Sequence, residues 1–237
     1  MENLAGKSVV VTGGTRGIGR AIAERLLREQ ARVFICGRQA GSVERAVAEM
    51  KTFAGDRIAG EPADVSRVEQ VARLFRAIDE RVGDLDVLIN NAGVGIFRSV
   101  AEMSVEEWHG VIDLNLNGAF YCAREALARF TVRGGGYIIN VSSLAGKNPF
   151  AGGCAYNASK FGLNGFSEAM MMDHRYDNVR VSYIMPGSVA TGFSPRHPGA
   201  DWMIAAEDVA EVVVMLLRLP ARTLVSRVEM RPSKPKK

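Results

Sequence analysis

A tyrosine, a lysine and a serine stand at spacings that suit proton transfer. Tyr156 and Lys160 are four residues apart in Tyr-Asn-Ala-Ser-Lys, and Ser143 lies thirteen residues before the tyrosine. In a helix this spacing places the phenol and the ammonium on one face, with Cβ atoms roughly 5–6 Å apart. A neighbouring cation favours the phenolate and lowers a tyrosine pKa from its usual value of about 10. The spacing therefore predicts that Tyr156 exchanges a proton with a carbonyl or alcohol oxygen.

A glycine-rich loop follows the first β-branched run of the chain. Gly13, Gly17 and Gly19 give the spacing Gly-x-x-x-Gly-x-Gly between a predicted strand and a predicted helix. Glycines at such a turn let the backbone approach a pyrophosphate, and the N-terminus of the following helix faces the anion. The context favours a dinucleotide site over a tight turn alone. Its other predicted members in this loop are Thr12, Thr15, Arg16 and Ile18.

The residues after the next two strands indicate which dinucleotide is bound. The second strand ends in Cys-Gly-Arg-Gln, without the carboxylate that would bind both ribose hydroxyls of NAD. Arg38 and Arg16 could instead hold a 2′-phosphate through charge-assisted hydrogen bonds, so we predict NADP(H) in preference to NAD(H). After the third strand, Asp64 and Val65 would lie beside the adenine. Asp64 could equally cap the following helix together with Ser66.

Short β-branched runs alternate with amphipathic segments along the whole chain, which indicates right-handed crossovers and a parallel sheet covered on both faces. We predict a single-domain α/β fold of the doubly wound, Rossmann type, with a mostly parallel seven-stranded sheet. The predicted strands are 8–12, 32–36, 57–61, 86–90, 137–142, 180–185 and 224–230. The predicted helices are 18–30, 42–53, 68–82, 104–130, 155–176 and 206–217.

Composition excludes several other classes of protein. The 237 residues carry a formal net charge of only +4, which gives no field that argues for nucleic acid. There is no apolar run long enough for a membrane span and no export signal at the start, so we expect a cytoplasmic protein. The three cysteines and three histidines are scattered, so no metal site is predicted. We expect residues 1–232 to form one dinucleotide-binding domain and residues 233–237 a basic, flexible tail.

With these motifs in view, the chain resembles the short-chain dehydrogenase/reductase family from about residue 7 to residue 191. The glycine loop, Asp64, the serine and the Tyr-x-x-x-Lys pair all match the family pattern. Three further matching motifs are Asn-Asn-Ala-Gly at 90–93, Asn-Leu-Asn-Gly at 115–118 and Pro-Gly-Ser-Val-Ala-Thr at 186–191. Together these motifs are highly specific for the family.

The resemblance implies the roles of individual residues. It implies a catalytic tetrad of Asn115, Ser143, Tyr156 and Lys160, in which the lysine also binds the nicotinamide ribose and the asparagine fixes a water for proton resupply. It also implies cofactor contacts from Asn91, Ala92, Gly93, Pro186, Gly187, Val189 and Thr191, the last two holding the carboxamide. Family members usually form homodimers or homotetramers through their long helices, and we expect the same here.

The departures from the family concern the substrate. The segment Gly192–Ala206 is a short lid, and Phe97, Phe150, Phe193 and Trp202 could line an apolar pocket or be ordinary core. The carboxyl end lacks the Val-Asp-Gly-Gly common in 3-oxoacyl reductases. We therefore expect an NADP(H)-dependent carbonyl reductase or alcohol dehydrogenase for a small or medium apolar molecule. A 3-oxoacyl-thioester reductase and, in another class, a non-catalytic dinucleotide sensor are the alternatives.

Overall fold

The computed structural model describes residues 1–193 and 200–235. Within them, one sheet of seven parallel strands has the order β3-β2-β1-β4-β5-β6-β7. The chain runs outward from β1 to β3, then returns to the other side of β1 at β4, which creates a crevice at the carboxyl ends of β1 and β4. The strands are β1 (Ser8–Thr12), β2 (Arg32–Gly37), β3 (Ile58–Pro62), β4 (Val87–Asn90), β5 (Gly136–Val141), β6 (Val179–Pro186) and β7 (Arg227–Met230).

Helices cover both faces of the sheet. They are α1 (Gly17–Arg28), α2 (Ala40–Ala54), α3 (Val68–Val82), α4 (Val105–Ile112), α5 (Gly118–Arg133), α6 (Cys154–His174) and α7 (Ala206–Arg218). Successive residues of β1 point to opposite faces: Val9 and Val11 pack with α1, α2 and α7, whereas Val10 packs with α3, α5 and α6. Both faces of the strands are therefore apolar, and the predicted doubly wound fold is confirmed.

The long helix predicted over 104–130 is wrong as a single element. Ser104 and Glu107 form a capping box at the start of α4, which ends at Ile112. A π-helical turn, Asp113–Asn117, then separates α4 from α5. A π-turn inserts an extra residue into the helical ladder, and such turns are common at functional sites. This one contains Asn115, a predicted member of the tetrad.

None of the helices in the described residues combines the length and apolar character that a membrane crossing requires.

The last strand is shorter than predicted, since β7 begins at Arg227 and residues 224–226 precede it without strand structure. The remaining boundaries agree with the predictions to within two residues.

Candidate active site

A cleft of about 1630 Å³ opens at the carboxyl edge of the sheet, beside the ends of the neighbouring strands β1 and β4. Most of the predicted site residues line it. They are Gly13, Thr15, Arg16, Gly17, Ile18, Arg38, Val65, Asn91, Ala92, Gly93, Ser143, Tyr156, Lys160, Pro186, Gly187, Val189 and Thr191. Four predicted residues, Thr12, Gly19, Asp64 and Asn115, lie outside this lining.

The glycine loop has the shape that a pyrophosphate requires. Gly13 and Gly17 have φ values of +65° and +54°, in the left-handed region that favours glycine. A Cβ on Gly19 would lie 2.3 Å from Asn91 Nδ2, so only glycine fits this close approach. The N-terminus of α1 carries no side-chain cap, which leaves its first N–H groups directed toward the cleft. This cradle fits the phosphates of a dinucleotide.

Thr12 and Asn91 join the glycine loop to the end of β4. The Thr12 hydroxyl accepts hydrogen bonds of 3.0 Å from the backbone N–H groups of both Asn91 and Ala92. The Asn91 side-chain amide donates to the backbone oxygens of Thr12 and Gly13, at 2.9 and 3.2 Å. Thr12 is buried, so the structure gives it the position of a support for the loop rather than of a cofactor contact.

Two arginines that the sequence assigns to a 2′-phosphate line the cleft. Arg16 and Arg38 are exposed side chains on the cleft lining. Among residues 1–193 and 200–235, neither guanidinium forms an ion pair with a carboxylate. Glu61, on the neighbouring strand, is paired with Arg81 at 3.2 Å. Both arginines therefore remain able to bind an anion.

Asp64 forms a turn with Ser66 just before α3 and does not cap the helix, whose N-cap residue Arg67 has no side-chain cap. Asp64 Oδ1 accepts hydrogen bonds from the backbone N–H and the hydroxyl of Ser66, at 3.0 and 2.7 Å. The side chain lies outside the cleft lining, whereas the neighbouring Val65 lies on it. These contacts hold Asp64 in the turn before α3, and its contact with the adenine stays a prediction.

Tyr156, Lys160 and Ser143 meet at the floor of the cleft. Lys160 Nζ lies 5.8 Å from the centre of the Tyr156 ring and donates a 2.9 Å hydrogen bond to the backbone oxygen of Val141. Because this bond fixes the buried ammonium, the lysine stays beside the phenol. The Ser143 hydroxyl accepts from the Ala145 backbone N–H at 3.1 Å, which orients it at the end of β5.

The electrostatics of Tyr156 differ from the expectation. Burial raises the pKa of the Tyr156 phenol, and the Ser143 hydroxyl opposes that rise without cancelling it. Burial also lowers the pKa of Lys160, to about 8. The net shift is therefore opposite to the lowering that the sequence predicted, because desolvation of the phenol by burial is its largest cause.

The buried ammonium of Lys160 should make stability depend on pH. The lysine pKa falls from 10.5 to about 8 on folding, so between these values the unfolded chain binds the proton more tightly. The free energy of unfolding should therefore rise with pH across this window, by up to about 1.4 kcal/mol per pH unit. Below pH 8 the folded protein bears the full cost of a buried charge.

Urea denaturation at pH 8 and pH 10 tests this expectation. Lys160→Met should lose the rise in unfolding free energy, while Lys51→Met, which removes an exposed lysine of α2, should keep it. The same pH dependence in Lys160→Met and the wild type would show that another group is responsible.

Asn115 does not line the cleft but connects two segments that do, through hydrogen bonds of its side-chain amide. Its Oδ1 accepts a 2.8 Å hydrogen bond from the backbone N–H of Val94, and its Nδ2 donates to the Val94 oxygen at 2.9 Å and to Ser159 Oγ at 3.0 Å. Both amide hydrogens are thus used within the protein. Asn115 ties the segment after β4 to α6, the helix that carries Tyr156 and Lys160.

Aromatic side chains surround the phenol of Tyr156. Phe97 and Phe193 both pack against it, with ring centres 5.7 and 5.9 Å from the tyrosine ring. Phe150 packs against Phe97 at 5.7 Å, and Trp202 also lines the cleft. All four predicted aromatic residues are therefore at the cleft rather than in the core, and the surface around the phenol is apolar.

The short lid is described only in part, because residues 194–199 lie outside the described residues. Its two ends are held together, since the Ala190 backbone N–H donates to the Ile204 oxygen at 2.9 Å and the Ile204 N–H donates to the Ser188 oxygen at 3.0 Å. A Cβ on Gly17 would lie 3.3 Å from Thr191 Cβ. The residues after β6 therefore cross directly over the glycine loop.

Sequence reasoning missed several residues of the cleft. Leu144, Asn148 and Met203 line it, as do Arg231 and Pro235 near the carboxyl end. No local signal marks these residues, because their proximity depends on how distant segments pack. Cys154, two residues before Tyr156, does not line the cleft, and its thiol lies 3.6 Å from the backbone oxygen of Arg98.

Comparison with known proteins agrees with the fold and the cleft. The family model for short chain dehydrogenases matches residues 7–198. The chain is 33% identical over 198 residues to a 3α-hydroxysteroid dehydrogenase of Mediterraneibacter gnavus, covering 83% of this chain and 79% of that protein.

Two solved structures are also similar. An alcohol dehydrogenase from the archaeon Thermococcus sibiricus, complexed with 5-hydroxy-NADP, has a TM-score of 0.90 and 29% identity over 98% of this chain and 99% of that one. A variant of actinorhodin polyketide ketoreductase with NADPH has a TM-score of 0.89 and 30% identity, covering 95% and 96% of the two chains.

The chain belongs to the short-chain dehydrogenase/reductase family. It is accordingly an oxidoreductase that acts on CH–OH or C=O groups of small molecules and binds a dinucleotide of the NAD(P) type.

Proposed function

We propose that this protein is an NADP(H)-dependent enzyme that reduces a carbonyl to an alcohol, or performs the reverse reaction, on a small or medium apolar substrate. One observation carries the proposal: the phenol of Tyr156 is reachable from the cleft, and the surface around it is built from the Phe97 and Phe193 rings. An apolar molecule that fills this surface would place its one polar group at the phenol.

Ser143 and Tyr156 would provide the hydrogen bonds and the proton for the substrate oxygen. When bound, the nicotinamide would exchange a hydride with the substrate carbon. In reduction, negative charge develops on the carbonyl oxygen, and both hydroxyls donate hydrogen bonds to it. Tyr156 then completes proton transfer to that oxygen. Because burial raises its pKa, the phenol is protonated at neutral pH, which is the form that reduction requires.

Lys160 and Asn115 support this step. Lys160 Nζ has donors beyond the one that bonds Val141, and these are free for a ribose hydroxyl of the cofactor. The side-chain amide hydrogens of Asn115 are used by Val94 and Ser159, so we assign Asn115 a positioning role. A water that relays protons to Lys160 would then have to be bound by the backbone oxygen of Asn115.

The proposed preference for NADP(H) rests on charge. Arg16 and Arg38 line the cleft without carboxylate partners in the described chain, and Gly37 stands where an acidic side chain would select NAD. The solved relatives that carry NADP or NADPH support this assignment.

A panel of ketones and alcohols, followed at the absorbance band of NADPH, tests the proposed function. We expect oxidation of NADPH with apolar ring ketones, and a large loss of rate in Ser143→Ala. The 3-oxoacyl-thioester alternative, which the similarity to a polyketide ketoreductase favours, is tested by including acetoacetyl-coenzyme A. Faster turnover of the thioester than of every ketone would replace the first proposal with the second.

We further propose a homodimer or homotetramer assembled through α5 and α6. Phe120 and Phe161, on these helices, are each 45% exposed, which is high for large apolar side chains. Light scattering on the purified protein should give two or four chains per particle. A wild-type protein that is monomeric, with a particle size that Phe120→Glu does not change, would contradict the assembly.

A further inference from the structure

The segment that follows β7 forms a wall of the substrate end of the cleft. We call Arg231–Pro235 the strap. The Gly187 backbone N–H donates to the Met230 oxygen at 2.8 Å, which fixes the start of the strap beside the end of β6. A Cβ on Gly187 would lie 3.1 Å from Pro232 Cδ and 3.2 Å from Leu144 Cδ1. The strap therefore borders Leu144, the residue next to Ser143.

An ion cluster joins the strap to the turn that carries Ser143. Glu229, in β7, forms ion pairs with Lys147 and, at 3.2 Å, with Arg231. Lys147 directly follows the 3₁₀ turn Leu144–Gly146. Two cations thus share one carboxylate, and the cluster has a net charge of +1. A guanidinium has five N–H donors, so Arg231 keeps several for a ligand.

Among the described residues, the part of the lining formed by Phe97–Glu102 has no free cation. Arg98 is paired with Glu107 at 2.8 Å, and Glu102, which also lines the cleft, accepts a 2.9 Å hydrogen bond from the Ser99 hydroxyl. These described charges sum to −1. The exposed net positive charge that these described residues bring to the cleft near Ser143 is therefore that of the Glu229 cluster, since the ammonium of Lys160 is buried.

We propose that Arg231 selects substrates that carry a carboxylate separated from the reacting carbonyl by an apolar body. The apolar body would occupy the aromatic surface, the carbonyl would reach Ser143 and Tyr156, and the carboxylate would accept charge-assisted hydrogen bonds from Arg231. This inference rests on the proposed function and names its substrate class. Because the guanidinium is 54% exposed and shared with Glu229, we expect about tenfold discrimination rather than more.

Matched ketones test the assignment. With NADPH, wild-type kcat/KM should be about tenfold higher for 4-oxocyclohexanecarboxylate or 4-(4-oxocyclohexyl)benzoate than for the corresponding methyl ester, mainly through KM. Arg231→Gln should bring the acid-to-ester ratio close to one, and Arg231→Lys should keep part of it. Arg227→Gln is the control, because Arg227 is an exposed arginine of β7 outside the cleft lining and should leave the ratio at the wild-type value.

Several outcomes would overturn the assignment. Wild-type ratios near one for both acids would do so, as would an acid preference that survives in Arg231→Gln. If neither ketone turns over, calorimetry with the NADP⁺-saturated enzyme decides, and acids that bind no better than esters contradict the role of Arg231. The proposed function fails separately: if Tyr156→Phe reduces these ketones as fast as the wild type, the proton donor is wrong even where the acid preference depends on Arg231.

Discussion

Replacing Tyr156 with phenylalanine is expected to lower kcat for ketone reduction by about 10²–10⁴-fold, because it removes the proton donor and leaves the ring in place. The packing of Phe97 and Phe193 against this ring should survive. The affinity for NADPH, measured by fluorescence titration, should therefore change little. A loss of rate with intact cofactor binding would separate proton transfer from folding.

Tyr176→Phe provides the matched control. Tyr176 follows α6, is 90% exposed and does not line the cleft, so its hydroxyl should be dispensable. If Tyr156→Phe kept the kcat of the wild type on a ketone that the parent reduces, the assignment of Tyr156 as the acid would have to be abandoned.

Removing the guanidinium groups of Arg16 and Arg38 is expected to abolish the preference for NADPH. A charge-assisted hydrogen bond contributes about 1.5–3 kcal/mol, and about 1.4 kcal/mol corresponds to tenfold in affinity. Arg16 and Arg38 are exposed, which reduces each contribution, so we expect roughly 10²-fold in total. In the Arg16→Leu/Arg38→Leu variant, kcat/KM for NADPH should fall by that factor while the value for NADH stays near that of the parent.

Arg45→Leu is the control for this variant, since Arg45 is an exposed residue of α2 outside the cleft lining. A wild-type enzyme that prefers NADH would show that Arg16 and Arg38 are only solvated surface charges and do not bind a 2′-phosphate. Gly37→Asp, the direct way to introduce an NAD-selecting carboxylate, is a poorer experiment. A Cβ at Gly37 would lie 2.9 Å from Thr15 Cγ2 and would disturb the glycine loop itself.

The features that were predictable from sequence are those encoded within a few residues. Alternating β-branched and amphipathic runs define each strand and helix, and their alternation leads to the parallel sheet. The i,i+4 spacing of Tyr156 and Lys160 fixes their common face once α6 forms. The glycine loop combines a short motif with the strand and helix that flank it. Each of these follows from local periodicity and chirality.

The features that were not predictable depend on packing between distant segments. The π-turn at Asp113–Asn117 has no glycine or proline signal of its own, and Asn115 is held there by Val94 and Ser159. Likewise, the raised pKa of Tyr156 reflects burial by neighbours from several elements rather than its spacing to Lys160.

Two polar residues illustrate the same limit at the cofactor end. Thr12 and Asp64 stand in family motifs, yet the structure directs Thr12 to the backbone after β4 and Asp64 to Ser66. A motif gives the position of a side chain along the chain, while its direction is set by which buried donors need an acceptor. Both residues shape the cleft by supporting its backbone.

The most direct test of carbonyl reduction in this cleft is isotope transfer. The wild-type enzyme is incubated with NADPH that carries deuterium at the transferable position of the nicotinamide and with a ring ketone that it turns over, and the alcohol is analysed by mass spectrometry. We expect one deuterium on the carbinol carbon of each product molecule, and about 10²–10⁴-fold slower labelling with Tyr156→Phe. Alcohol formed without deuterium, or oxidation of NADPH without alcohol, would contradict the proposed reaction.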